Sequence, residues 1–266
     1  MLRRTTGDRT AAHGHPAGRP ERVGPPVATE REERDMDLAQ AASVGGFFAV
    51  RTEPVPGGAH RPLAELYAGG TGPLTARVDK VAARLSAPER RVAASIAHLG
   101  LAARLWSLAL GPAALFGRFP ALVPDTLHWD PQRTSPDDLW LADQEDLPAT
   151  ADRIREQVQY GHLVPLAEAF RRDGNISPRL LWGNAGSALA GAVRELVTWS
   201  RGQDRPDVAH RARALGAELF DHPDLSATGS PHTPAFRRRS CCLYWRCPGG
   251  GLCGDCVFDR APEAAR

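Results

Sequence analysis

All five cysteines of this chain fall within residues 241–256, close to its C-terminal end. That crowding obliges a short stretch of backbone to fold around its own sulfurs. Four of them, Cys241, Cys242, Cys253 and Cys256, follow the spacing C-C-x10-C-x2-C. The two residues between Cys253 and Cys256 let both sulfurs face one metal atom, and Gly254 permits a tight turn with N–H groups directed at sulfur. The run Pro248, Gly249, Gly250, Gly251 lets the chain double back and bring this knuckle to the adjacent pair. Thiolates are soft ligands that suit an iron–sulfur cluster or zinc. Structural zinc commonly uses two separated C-x2-4-C knuckles, which an adjacent Cys-Cys pair fits less well. An odd cysteine count disfavours a closed disulfide framework. Arg237, Arg238, Arg239 and Arg246 surround the thiols, where positive charge lowers thiol pKa values and offsets the negative charge of a metal centre held by four thiolates.

The remainder of the chain is expected to be mainly α, a helical bundle with a small β or irregular insertion, ending in the Cys-rich segment. Hydrophobic residues make up 42% and charged residues 24% of 266, ordinary for a globular protein. A net charge of +2 gives no global field for nucleic acid or an anionic membrane. Lys80 is the only lysine, which reads first as a coding bias toward arginine. Residues 1–35 hold almost no large apolar side chains, so a disordered tail is expected, with Met36 a candidate translation start. Residues 36–234 form the helical domain and residues 235–260 the cluster-binding segment. No secretory signal and no membrane-spanning stretch is expected; the most apolar run, residues 92–110, contains His98 and Arg104 and reads as a buried helix. The protein is expected to be cytoplasmic, where clustered cysteines are more often metal ligands than disulfides.

Along the chain, Phe47, Phe48, Ala49 and Val50 read as a short strand or buried turn. Ser86 and Glu89 form a capping box for a helix ending near Gly111 and Pro112. Residues 112–148, rich in proline, read as a small hairpin or irregular connector around Leu127, His128, Trp129 and Leu139, Trp140, Leu141. Residues 150–160 and 162–172 read as a pair of helices, stopped at Asp173, Gly174, Asn175. Ser177 caps a helix that starts at Pro178 and runs to about Ser200. Its small residues, from Gly183 through Ala192, let another helix approach closely. Residues 206–220 form a further amphipathic helix, and 221–234 a turn-rich linker.

The segment from Arg238, Arg239, Ser240 through Cys241 and Cys242 to Gly249, Gly250, Gly251, Leu252, Cys253, Gly254, Asp255, Cys256 resembles the C-terminal [2Fe–2S] motif of the FhuF-like ferric-siderophore reductases. Weaker similarity extends upstream through His162, Leu163, Val164, Pro165, Leu166 and through Leu180, Leu181, Trp182, Gly183, Asn184, Ala185. The resemblance implies a [2Fe–2S] cluster held by Cys241, Cys242, Cys253 and Cys256, and the one-electron reduction of iron in imported hydroxamate-type siderophores. Cys247 departs from the pattern and competes with Cys241 as a ligand.

A hydroxamate cage of hard anionic oxygens grips ferric iron, and one added electron loosens that grip. Arg238, Arg239, Trp182 and Asn184 are the candidate substrate contacts. Gly183, Asn184, Ala185, Gly186 lacks the G-x-G-x-x-G spacing of a dinucleotide site, so an external donor, a ferredoxin or flavin reductase, is expected to supply electrons. No nucleic-acid partner is expected. A cluster-based redox or iron sensor and a siderophore-binding protein with a structural metal are the alternatives. Tyr244 and Trp245 are expected to shield the metal centre; His98, His128 and His162 read as structural or exposed.

Overall fold

The protein is described by a computed structural model covering residues 36–53, 60–68, 71–131, 133, 139–142, 145–230 and 235–262. The expectations for residues 1–35 lie outside the described residues. The architecture is mainly α. Its helices are α1 (Leu38–Ala42), α2 (Leu63–Tyr67), α3 (Thr71–Leu85), α4 (Arg90–Phe116), α5 (Ala151–Ile154), α6 (Val164–Asp173), α7 (Pro178–Gly202), α8 (Pro206–Phe220) and α9 (Pro223–Ser226). The strands are short: β1 (Arg61–Pro62), β2 (Arg118–Pro120), β3 (Leu127–Trp129), β4 (Leu139–Leu141), β5 (Asp146–Pro148), β6 (Gly229–Ser230) and β7 (Arg237–Arg238).

Helix α4 is the axis of the molecule, packed on α3, α7 and α8. It is long and apolar enough by composition to cross a membrane, but 78% of its most apolar window is buried inside the protein. Two boundaries differ from expectation. The helix starts at Arg90, because Ser86 takes a left-handed conformation (φ 47) behind α3 and Glu89 turns its carboxylate to Arg91 and Arg246 at 2.6 and 2.8 Å. The capping box therefore does not form. The helix also passes through Pro112 and ends only at Phe116, where Gly117 (φ 74) supplies the left-handed stop. The Phe47 and Phe48 region is a turn rather than a strand, one 3-10 turn over Gly46–Phe48, in which Phe48 is buried and Phe47 is 44% exposed; the Arg104 guanidinium holds it by donating to the carbonyls of Gly46 (3.1 Å) and Phe47 (2.6 Å).

The proline-rich insertion is two small antiparallel sheets. The apolar triplets pair as β3 and β4, Leu127 opposite Leu141 and Trp129 opposite Leu139, with β1 added beyond β3. Strands β2 and β5 form the second sheet.

The expected pair of helices between 150 and 172 is instead one unbroken helical run. Between α5 and α6 the chain continues as a wide π-helical segment, Arg155–Leu163, with the Val164 N–H bonded to the Gln159 carbonyl. Gly161 does not break it. His162 pins the wide turn: its Nε2–H donates to the Leu122 carbonyl at 2.7 Å, and its Nδ1 accepts from the Tyr67 hydroxyl at 2.7 Å.

Helices α7 and α8 begin at proline, as expected, and α8 keeps its predicted limits. The Ser177 hydroxyl makes no capping bond, although its backbone is extended as a cap requires. Trp106 on α4 donates its indole N–H to the Ala185 carbonyl of α7 at 3.1 Å, joining the two central helices. The small face of α7 has a second use beyond helix packing. A Cβ at Gly183 would overlap the Ser240 side chain, and one at Gly186 would overlap Thr228. That face receives the C-terminal tail itself.

Candidate metal centre

The tail enters the site through β7, which pairs with β6 in the register Gly229 with Arg238 and Ser230 with Arg237. The alternation of an extended chain sorts the arginines. Phe236 and Arg238 point inward and are buried; Arg237 and Arg239 are exposed. Arg237 bonds Asp259 at 2.8 Å, and Arg246 bonds Glu89 at 2.8 Å. The Arg238 charge acts on the thiols, favouring the thiolate form at Cys242 and Cys253.

Arg238 is 2% exposed, and so is Cys242. The Arg238 Nε donates to the Ser240 carbonyl at 2.9 Å and its Nη2 to Asn184 Oδ1 at 2.6 Å. Asn184, fully buried on α7, donates in turn to the Ser95 carbonyl of α4 at 2.8 Å, and the Ser95 hydroxyl donates to the Cys242 carbonyl at 2.7 Å. This chain of bonds fixes the first cysteine arm to both central helices. The second arm is fixed by Asp255, which accepts from the Ser187 hydroxyl at 2.5 Å and from Arg194 at 3.1 Å, both on α7. The two arms meet where the Arg238 N–H donates to the Asp255 carbonyl at 3.0 Å.

The thiols follow this frame. Cys253 and Cys242, one from each arm, hydrogen-bond to each other; that bond pulls the Cys242 thiol below its usual range, with the Tyr244 N–H and Arg238 adding to the effect. Cys253 keeps the shared proton and is pushed up. Burial raises Cys241, against the Leu243 N–H at 3.2 Å and the Trp245 indole N–H, both directed at its sulfur. The Phe258 N–H points to Cys256 Sγ at 3.5 Å, and the Asp255 N–H to Cys253. Every motif cysteine therefore receives a backbone N–H. Cys247, raised by burial and by the charge of Cys242, receives none among the described residues.

The turn that makes this possible has a conformational cost. Leu243 lies in the left-handed region (φ 68), which for a non-glycine residue costs roughly 1–2 kcal/mol. Gly250 is required because a Cβ there would overlap the Tyr244 carbonyl, so the loop closes only with glycine at that position.

Two observations bear on the group these thiols suit. Among the described residues, no three Cys, His, Asp or Glu side chains converge as a single-ion site would ask. And Arg238 is a buried cation with no carboxylate partner among the described residues and with Nη1 lacking any bond. A buried charge of that kind is costly unless an anion faces it. A cluster carrying four thiolates is such an anion, and the donor set fits it.

Two expected substrate contacts are corrected. Arg238 and Asn184 are buried and engaged with the cysteine arm, so neither reaches a substrate. Trp182 and Arg239 do share one surface groove with Arg179 and Ser240. Sequence reasoning missed Ser95, Ser187, Arg194 and Asp255, because each acts through a partner distant in the chain.

The fold and tail define a helical redox protein with a thiolate-rich C-terminal arm. Residues 114–239 match the family model described as "Ferric iron reductase FhuF-like transporter", and residues 238–258 match that of the "FhuF 2Fe-2S C-terminal domain". Together the matches span 114–258, more than half of the 266 residues, and the chain belongs to the FhuF-like family. Its cofactor is a [2Fe–2S] cluster, and its general activity is that of an iron–sulfur ferric reductase. No curated protein matches the chain. The likeness reaches further upstream than the tail and the two short stretches that carried the resemblance, back to the end of α4.

Proposed function

We propose that this protein reduces the ferric iron of hydroxamate-type siderophores in the cytoplasm, taking single electrons from an external ferredoxin or flavin reductase and releasing ferrous iron. The bound cluster supplies a one-electron couple. Cys241, Cys242, Cys253 and Cys256 are the residues that would hold it. The supporting observation is the buried Arg238 guanidinium, which lacks an anionic partner among the described residues and lies where the two cysteine arms meet.

The chain's own residues do three things in this reading. Arg238 offsets negative charge at the thiolates, which favours the reduced state. Asn184, Ser95 and Asp255 lock the arms to α7 and α4, so that little rearranges when an electron arrives. Trp245, half-buried beside Cys241, limits water at that sulfur. No proton or group transfer is needed, because the reaction is Fe(III) plus one electron giving Fe(II). The hard oxygen cage holds Fe(II) less tightly, and ligand exchange frees it.

The test is anaerobic mixing of dithionite-reduced protein with a panel of ferric siderophores, with ferrous iron trapped by a chelator. Trapped ferrous iron is expected in proportion to reduced protein. Cys253→Ser is expected to lose iron, acid-labile sulfide, visible colour and activity, while Cys247→Ser keeps all four. Zinc in place of iron, or a cluster that reduces but passes no electron to any ferric hydroxamate, overturns the reading.

A further inference from the structure

Beside the first cysteine arm lies an open groove of about 260 Å³, between the first turns of α7 and the α9 turn. Arg179 and Trp182 form one side, Asp224 and Thr228 the other, and Arg239 and Ser240 the end nearest the cysteines. We propose that this groove docks the ferric complex and selects complexes of net negative charge. The proposal rests on the reductase reading above and adds where the substrate sits and what charge it carries.

Position is the first support. Ser240 directly precedes Cys241, so their Cα atoms are about 3.8 Å apart. A complex held here lies against the chain segment that carries the first motif cysteine, which gives an electron leaving the site a short way to travel.

Charge is the second. Arg179 and Arg239 are both exposed, and neither belongs to an ion pair among the described residues. The Arg179 Nη2 donates to the Arg239 carbonyl at 3.2 Å, which ties the α7 turn to the cysteine arm and keeps the two cationic residues together. The one carboxylate of the groove among the described residues, Asp224, already accepts from Gln159 Nε2 at 2.9 Å and lies 3.5 Å from His222 Nδ1. Two arginines thus face a single carboxylate that is otherwise engaged. Guanidinium groups suit carboxylates, which they bind in a two-pronged fashion.

Size and surface decide how the complex sits. Pockets that engulf a drug-sized ligand hold roughly 300–1,000 Å³, so this groove takes one arm of a siderophore rather than the whole. Trp182, half-buried, offers a flat apolar wall for the hydrocarbon of that arm. Carboxylates on the chelator meet Arg179 and Arg239, and the iron centre is left toward Cys241. Substrates of this class are hydroxamates built on a carboxylate-rich core, whose ferric complexes are anionic.

Redox-inert gallium(III) complexes separate binding from reduction. Two are titrated calorimetrically into the cluster-loaded protein: a citrate-based hydroxamate complex, which is anionic, and a tris-hydroxamate complex of zero net charge. The wild type is expected to bind the anionic complex more tightly. The double variant Arg179→Glu, Arg239→Glu is expected to weaken the anionic complex about tenfold or more, to leave the neutral one within about twofold, and to keep the visible spectrum of the cluster. An anionic-complex affinity that does not change, or an equal loss for both complexes, overturns the groove assignment while ferrous iron still forms from the ferric counterparts. If the wild type binds neither gallium complex and reduces neither ferric one, the reductase reading falls, and the groove assignment with it.

Discussion

Arg238 shows how much one buried guanidinium decides. It touches both cysteine arms, one through its backbone N–H to Asp255 and the other through its side chain to Ser240, and its spare Nη1 has no partner among the described residues. Arg238→Gln keeps a donor toward Asn184 but removes the charge. The expected result is a cluster that is harder to reduce, with a midpoint potential lower by roughly 60 mV, a tenfold shift of a one-electron equilibrium. Spectroelectrochemical titration measures it, and an unchanged potential would show that the charge does not act on the cluster. His98 gives a different prediction. Both its ring nitrogens are buried without a partner among the described residues, and the ring lies edge-on to Phe170 at 5.3 Å. Burial, with Arg238 adding, holds its pKa down to about 3, and burial holds that of His162 down to about 4. An unfolded chain binds these protons near pH 6.5, so the stability each neutral histidine lends is complete above pH 6.5 and is lost as the pH falls toward the folded values. The loss amounts to roughly 1.4 kcal/mol per pH unit and per histidine. His98→Leu should be within about 1 kcal/mol of wild type at neutral pH and visibly less sensitive between pH 6.5 and 5. Urea midpoints across that range decide it; parallel pH slopes would rule the account out.

At the scale of elements, helix α7 serves two partners at once. Its one face meets α4 through Asn184 and Ala185, and its glycines receive Ser240 and Phe236 of the tail and Thr228 from the turn after α9. A methyl group at Gly186 would run into Thr228, whose hydroxyl is bonded to the Leu225 carbonyl at 2.6 Å and cannot turn away freely. Gly186→Ala should therefore cost about 1–3 kcal/mol by overpacking and loosen the cluster as well. Two readouts are expected to move together: a lower Tm and faster bleaching of the visible absorption in air. The π-helical segment holds the residue 122 region and Asp224 in place, through His162, Gln157 and Gln159. A run that keeps helical dihedrals while shifting its hydrogen-bond register has no signature in apolar spacing, which is why two helices were expected there.

For the whole molecule, the core and the cluster arm are separable in energy. The large buried side chains, Trp106, Trp129, Phe119, Phe170 and the leucines of α4, belong to the helical body and its insertion. The tail contributes Phe236, Cys242 and Cys247 to the buried set, together with Arg238 and Asp255. Removing the cluster with a chelator under reducing conditions should leave the helical far-UV spectrum nearly intact. It should also expose residues 235–262 to proteolysis, since thiolate repulsion and the charge of Arg238 then go unbalanced. Global loss of helix on metal removal would mean that the centre holds the body together as well.

Read alone, the sequence determined the helical class, the starts of α7 and α8, the apolar strand triplets and the cysteine motif, because periodicity, proline at the first helical turn and thiol spacing are local properties. Sequence could not rank Arg237, Arg238, Arg239 and Arg246, which look alike in one dimension; the alternation of β7 and the depth of the α7 groove choose the second of them. Nor could it place Asn184 and Asp255 as supports of the tail, or see that Ser86 gives up its cap and α4 runs through Pro112. Those outcomes depend on which buried polar groups find partners across the fold, and only tertiary packing, which sets burial and hence the cost of an unpaired charge, decides that.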